Sequence, residues 1–384
     1  MPWASNPRLR RRLLILAGRH LGPPSAAPAG RPRRVLLVRP DHVGDVLLTS
    51  PAVAAVRRAL PQAHLTYLVG PWGAEVARHG PEVDRLETVP FPGFSRRPKP
   101  NALQPYLLLW HTARRLRRAS YDLALILRPD HWWGALLALV AGIPARAGFD
   151  TPETRPLLTA ARHLDPTEHA VEQALGLVRF AGLSVDGTPD RPVFRLTERE
   201  QLAAAQRFAS WGLDQRQVVA LQPSAGAALK SWPVVRWARL ADELAGLGLA
   251  VLLVGGPDDG RLLGAIQARM RAPAAALAHG QELGDSAAIY ARCQLVVGLD
   301  GGAAHLAHAV GTPSVRLYGP ASPSVFGPWP PSANQHVLIT DQLACVPCGH
   351  LEAPPCGARA LPACMLALGV DDVLRVVRSQ LATD

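Results

Sequence analysis

Apolar residues come in short runs along the chain, each followed by a stretch with helical spacing. Val35-Leu36-Leu37-Val38, Leu65 to Val69 and Leu123 to Leu127 are the runs of the first half, and the more polar Asp84 to Val89 is read as a further strand between them. Val218-Val219-Ala220-Leu221, Ala250 to Val254, Gln294 to Leu299 and Ser314 to Tyr318 are those of the second. Apolar residues at consecutive positions predict strands buried on both faces, the habit of parallel sheets. Between them lie predicted helices. One runs to Leu60 and opens on Ser50-Pro51, a good N-cap and N1 pair. A basic helix covers Tyr106 to Ala119. Small-residue helices follow over 134–142, Glu168 to Gly182 and the stretch up to Val310. A further helix spans Trp237 to Gly246, and the last spans Val370 to Leu381. Strand and helix alternate in both halves. The prediction is an α/β fold of two Rossmann-like, doubly wound parallel-sheet domains facing across a cleft.

Breaks in the pattern set the boundaries. A basic tail and a Pro-rich linker occupy 1–32, the first domain 33–190, and the second 191–368. Gly187 to Arg195 is the hinge between them. Residues 369–384 form a terminal helix that is a candidate for packing back on the first domain. A length of 384 residues suits two domains.

Charge narrows the partners. The net charge is +11, from 41 basic and 30 acidic residues, and only Lys99 and Lys230 are lysines. Such a chain suits nucleic acid, an anionic membrane face or phosphorylated substrates. No nucleic-acid motif or aromatic-interleaved basic stripe is present, so nucleic acid is not expected. The apolar runs Leu13 to Gly18 and Gly134 to Pro144 are too short for a signal h-region or a bilayer span. The expectation is a cytoplasmic protein. Its basic, leucine-containing tip is either a frayed tail or a peripheral contact with the anionic inner face of the cytoplasmic membrane. The Pro-, Arg- and Phe-rich loop at 90–105 is either a site for an anionic acceptor or a solvated insertion.

The chemistry-bearing residues sit at strand ends. Arg39-Pro40-Asp41-His42 follows the first strand, with Gly44 and Asp45 just beyond, and Arg128-Pro129-Asp130-His131 follows the fourth. If both strands are parallel, both tetrapeptides share one rim. In the second half, Gln222-Pro223-Ser224-Ala225-Gly226 leads to Lys230-Ser231-Trp232-Pro233. This is not a P-loop, because Leu229 stands where the glycine before the lysine must be. Its backbone N–H groups and the Lys230 ammonium can still hold a diphosphate. Gly255-Gly256-Pro257-Asp258-Asp259 offers a carboxylate to ribose hydroxyls or a cap to a helix. Asp300-Gly301-Gly302, with His305 one turn on, opens a helix at the end of a strand, where the N-terminus favours phosphate. The cysteine spacing Cys345-x2-Cys348-x7-Cys356-x7-Cys364 permits tetrahedral zinc; reduced thiols are the simpler reading.

Taken together, these stretches resemble glycosyltransferase family 9, the lipopolysaccharide heptosyltransferase family. Arg39-x-Asp41-x-x-Gly44-Asp45-Val46 with Pro51-Ala52 is similar to its N-terminal signature. Gln222-Pro223-x-Ala225-Gly226 with Lys230-x-Trp232-Pro233 is similar to its donor loop. Asp300-x-Gly302-x-x-His305-Leu306-Ala307, then Gly311-Thr312-Pro313 and Tyr318-Gly319-Pro320, is similar to its C-terminal signature. Gly301 and Gln222 depart from the family's usual Ser or Thr and His. The resemblance implies a GT-B fold. It implies an inverting, metal-independent glycosyltransferase, without a cofactor, that moves a heptose or related sugar from a nucleotide-diphosphate donor, ADP-heptose in the best-known members. The acceptor would be a cell-envelope glycan or glycolipid. Asp45 matches the general base and Lys230 the diphosphate contact. Ser224, Ala225, Gly226, Asp258, Asp300, Gly301, Gly302 and His305 fall at the donor site. Arg39, Asp41, His42, Gly44, Arg128, Asp130 and His131 are acceptor-side candidates. A non-catalytic nucleotide-sugar-binding scaffold and a nucleotide-sugar epimerase of the same fold are the alternatives.

Overall fold

The computed structural model describes residues 30–94 and 103–382, together with Arg12 and Ile15. The tail, most of its linker and the centre of the basic loop at 90–105 lie outside the described residues. The chain divides between Pro189 and Asp190 into two compact units.

The first unit is one parallel sheet with helices between its strands. In chain order it has β1 (Arg34–Arg39), α1 (Val43–Ala59), β2 (His64–Val69), α2 (Ala74–His79), β3 (Arg85–Thr88), α3 (Gln104–Ala119), β4 (Leu123–Ile126), α4 (Trp132–Val140), β5 (Ala145–Phe149), β6 (Ala160–Arg162) and α5 (Ala170–Phe180). The strand order is β3-β2-β1-β4-β5-β6. Every pairing is parallel. Leu36, Val38, Ala124 and Ile126 share one core with Leu109, Ala113 and Leu116 of α3 and with Leu137 of α4. The intervening Val35, Leu37 and Leu125 are equally buried. This is why β1 and β4 read as unbroken apolar runs.

The second unit repeats the plan. It has α6 (Glu198–Ser210), β7 (Val218–Gln222), α7 (Val234–Gly246), β8 (Ala250–Val254), α8 (Gly260–Gln267), β9 (Ala276–Ala278), α9 (Leu283–Ala291), β10 (Leu295–Leu299) and α10 (Gly302–Ala309). These are followed by β11 (Ser314–Leu317), α11 (Pro323–Phe326), β12 (Gln335–Leu338), α12 (Ala363–Leu366) and α13 (Val370–Leu381). The order β12-β11-β10-β7-β8-β9 is the order of the first sheet, counted from β7 and read from the other edge. Both sheets are thus doubly wound, as the alternation predicted.

Two local expectations are refined. The helix expected to open on Ser50-Pro51 begins eight residues earlier, with His42 as N-cap, and runs through the proline. Pro51 has no N–H for the carbonyl of Leu47. The Ser50 hydroxyl donates to that carbonyl at 2.6 Å, so the helix continues. The terminal helix α13, a candidate for packing on the first domain, lays its apolar face in the second unit's core. Val370, Val373, Leu374 and Val377 recur at helical spacing and join Trp237, Leu240 and Leu244 of α7.

Candidate active site

Doubly wound sheets bind ligands beyond the carboxyl ends of their strands, where the strand order reverses. In the first unit that point lies between β1 and β4, and in the second between β7 and β10. The two tetrapeptides emerge at the first point, and Lys230 and Asp300 at the second.

At the first point, β1 and β4 run in parallel register, Val35 beside Leu123 and Val38 beside Ile126. The tetrapeptides therefore leave the sheet side by side. Asp41 is almost fully buried between two guanidiniums. Arg39 Nε pairs with it at 2.7 Å, and Arg128 reaches across from the neighbouring strand. Trp72 closes the loop by donating Nε1–H to the carbonyls of Pro40 and Asp41, at 2.9 Å each. Gly70 is needed here, because a Cβ would strike the Trp72 ring. Asp45 sits in the first turn of α1, 3.4 Å from Arg39 Nη2, with 36% of its side chain exposed. Asp41 is thus a structural anchor for Arg39 and Arg128. Of these two carboxylates, Asp45 is the more exposed.

The two copies diverge beyond this. Asp130 is open to solvent and pairs with Arg128 Nε at 2.5 Å. His42 stands at the N-cap position of α1 without a side-chain capping bond, and its ring lies against Trp72. His131 is buried in an aromatic box of Phe91, Phe94 and Trp133. Neither of its ring nitrogens has a hydrogen-bond partner. Burial pushes its pKa down to about 3, with Arg128 and Arg39 also opposing the charged form and Asp41 and Asp130 favouring it. It is a neutral ring below the rim, packed against these three aromatic side chains.

At the second point, β7 ends in Gln222, whose amide nitrogen bonds the Ser224 hydroxyl at 2.7 Å and its carbonyl at 2.9 Å. The loop then runs to a single 3-10 turn, Ala228 to Lys230. Buried Leu229 and Trp232 pin it on either side of the lysine. Trp232 donates Nε1–H to the Leu368 carbonyl at 2.9 Å. So held, the Lys230 ammonium meets the Asp300 carboxylate at 2.5 Å, with side chains 15% and 4% exposed. Asp300 follows β10, and Gly301 and Gly302 open α10. A Cβ added at Gly226 or Gly301 would meet nothing within 4 Å, and neither backbone is in the left-handed region. Packing and conformation thus leave both glycines unexplained; close approach of a ligand to the backbone would explain them.

His305 is buried behind this point, with Nδ1 at 3.5 Å from Arg316 Nη1. Sequence reasoning missed Arg316, a fully buried guanidinium on β11. It donates to Ser314 Oγ at 3.0 Å and to Gln335 Oε1 at 2.9 Å, and so fixes the side of His305 that faces it. A charged residue inside the apolar strand Ser-Val-Arg-Leu was the available signal. His308, one turn on from His305, bonds the Trp329 carbonyl at 2.9 Å, and burial lowers its pKa to about 4.

Other candidates lie elsewhere. Asp258 is exposed, while Asp259 folds back to accept the Gly256 N–H at 2.6 Å and so closes the turn. Cys364 is buried beside Gly319, while Cys345 and Cys356 are exposed. Among the described residues no group of three or more His, Cys, Asp or Glu could hold a metal ion. A cavity of about 620 Å³ lies against the opposite, amino-terminal ends of β1, β4 and β5, away from these residues.

The family model described as glycosyltransferase family 9 (heptosyltransferase) matches residues 109–354, well over half of the chain. The match takes in Arg128 and the second point and begins after Asp45. Lipopolysaccharide heptosyltransferase 2 of Escherichia coli (strain K12) is 28% identical over 326 residues, 80% of this chain and 88% of that protein. The glycosyltransferase family 9 structure from Veillonella parvula superposes with a TM-score of 0.75 at 24% identity, covering 92% of this chain and 98% of that one. The E. coli ADP-heptose lps heptosyltransferase II gives 0.72 at 24%, covering 91% and 99%. Motif order, the two sheets and the family match agree on one conclusion: the chain belongs to glycosyltransferase family 9, has the GT-B fold, and is a glycosyltransferase.

Proposed function

We propose that the protein transfers heptose from ADP-heptose to a hydroxyl of a lipopolysaccharide-type envelope glycan, with inversion and without a metal ion. The observation that carries this reading is the Lys230–Asp300 pair at the strand-order reversal of the second unit, beside the start of α10. A lysine ammonium and a row of helix N–H groups supply the positive charge that a departing diphosphate requires. The names of the relatives and of the E. coli structure supply the choice of ADP and heptose.

In this reading Asp45 accepts the proton of the acceptor hydroxyl. The acceptor oxygen bonds to the anomeric carbon from the face opposite the phosphate. The bond from that carbon to the β-phosphate oxygen breaks, and ADP leaves with the electron pair. Lys230 exchanges its Asp300 contact for the phosphate as charge develops there. Arg39 holds the Asp45 carboxylate in place, and Arg128, anchored by Asp41, presents positive charge to an acidic acceptor sugar. Released ADP should appear only when both ADP-heptose and a heptose-accepting core glycolipid are supplied, and should persist in excess chelator. The product linkage should have the anomeric configuration opposite to the donor's. ADP release without acceptor, loss of turnover with chelator, or retained configuration would each contradict a named part of the proposal.

A further inference from the structure

Helix α3 carries a face whose large apolar side chains are exposed among the described residues. Leu109, Thr112, Ala113 and Leu116 are buried inward. Outward lie Leu103, Leu107, Trp110, Arg114 and Arg118, at steps of four, three, four and four, which place them in one stripe. Leu103, Leu107 and Trp110 are 56%, 57% and 48% exposed. The Arg114 guanidinium stacks over Trp110, 4.6 Å from the ring centroid. Arg117, beside the stripe, donates to the Val140 carbonyl at 2.6 Å. Among the described residues no ion pair involves Arg114, Arg117 or Arg118. Between Glu87 and Asp122 the sequence has seven basic residues and no acidic one.

The stripe is ordered along its length, with leucines and tryptophan at the amino end and arginines at the carboxyl end. A crossover helix runs antiparallel to its strands, so the apolar end lies at the rim that carries Arg39, Asp45 and Arg128. The Trp133 indole N–H, reaching the Pro105 carbonyl at 3.3 Å, ties that end to the rim. Tryptophan and leucine beside arginines outside any ion pair match the layered chemistry of a bilayer surface: acyl boundary, then phosphate. A second copy fits poorly, because two chains of net charge +11 would bring arginine stripes together.

We propose that α3 docks the protein on an anionic lipid bilayer, with Leu103, Leu107 and Trp110 in the interface and Arg114, Arg117 and Arg118 on lipid phosphates. The inference rests on the first unit alone and is independent of the donor-site reading.

Co-sedimentation with vesicles tests it, using phosphatidylcholine alone and phosphatidylcholine with about one-third phosphatidylglycerol. The full chain should pellet with the anionic vesicles and stay in solution with the neutral ones. Leu107→Ser with Trp110→Ser, and separately Arg114→Glu with Arg118→Glu, should each lower the partition coefficient by about tenfold or more. Their melting temperatures should match the wild type, since these side chains face solvent. Three results would overturn the proposal: no pelleting of the wild type with anionic vesicles, variants that pellet as the wild type does, or binding abolished by replacing Arg8, Arg10, Arg11 and Arg12 with serine while the α3 variants retain it.

Discussion

At the scale of single residues, two pairs of chemically alike positions have been set in unlike surroundings. Asp41 and Asp45 are four apart, yet Asp41 is enclosed by two guanidiniums and Asp45 is open. Asp45→Asn removes the proton acceptor and leaves the donor loop untouched. Its turnover should fall by about a hundredfold or more, with ADP affinity changed less than about twofold; a large loss of ADP affinity would place Asp45 on the donor side. His42 and His131 close identical tetrapeptides, yet only His131 is boxed in. Its folded pKa of about 3 lies below the unfolded value of about 6.5. Between those limits the unfolded chain binds the extra proton, so this histidine's contribution to stability is present above pH about 6.5 and lost as pH falls toward 3. His131→Phe keeps the ring and removes two nitrogens that have no partner. Its melting temperature should fall less between pH 7 and pH 5 than the wild type's, with little change at pH 7. An identical pH profile would show that His131 is not buried neutral.

At the scale of elements, legibility followed burial. β1, β4, β7, β8 and β10 lie inside their sheets and are apolar at nearly every position, so the sequence shows them plainly. β5, with Ala-Arg-Ala-Gly-Phe, hides the same environment behind small residues and an arginine that bonds Leu157 and Ile143 carbonyls. β6, β9 and β12 are three- or four-residue strands, too short for a period to register. α1 misled for a different reason. Ser50-Pro51 is the usual opening of a helix, and here it is an interior repair, with the serine hydroxyl serving the carbonyl that proline cannot. Ser50→Ala should therefore lower stability by about 1 kcal/mol, measured by denaturant unfolding. A change near zero would mean that the Leu47 carbonyl finds another donor. α13, by contrast, was legible to the residue, because its four buried apolar positions recur at helical spacing and nothing interrupts them.

At the scale of the whole molecule, two units with one strand order present their chemistry at equivalent points. Sequence motifs found both points, because the residues that make them are strand-end loops with fixed local order. They did not separate anchors from contacts. Asp41 and His131 stand in the same motifs as Asp45 and Arg128, and only their neighbours show that Asp41 is held between two guanidiniums and His131 among aromatic rings. Arg316 escaped notice because its partners, Ser314, Gln335 and His305, come together through β11, β12 and α10. Lys230 was legible as one of only two lysines, and the structure adds its partner, Asp300.

That pair is also where the account is most exposed. Calorimetric titration of ADP, GDP, UDP and dTDP into the wild type and into Lys230→Ala tests it directly. The prediction is selective binding of ADP, weakened at least tenfold by Lys230→Ala, which is about 1.4 kcal/mol. Folded protein that binds none of the four, or that binds ADP equally well without the lysine, would contradict it.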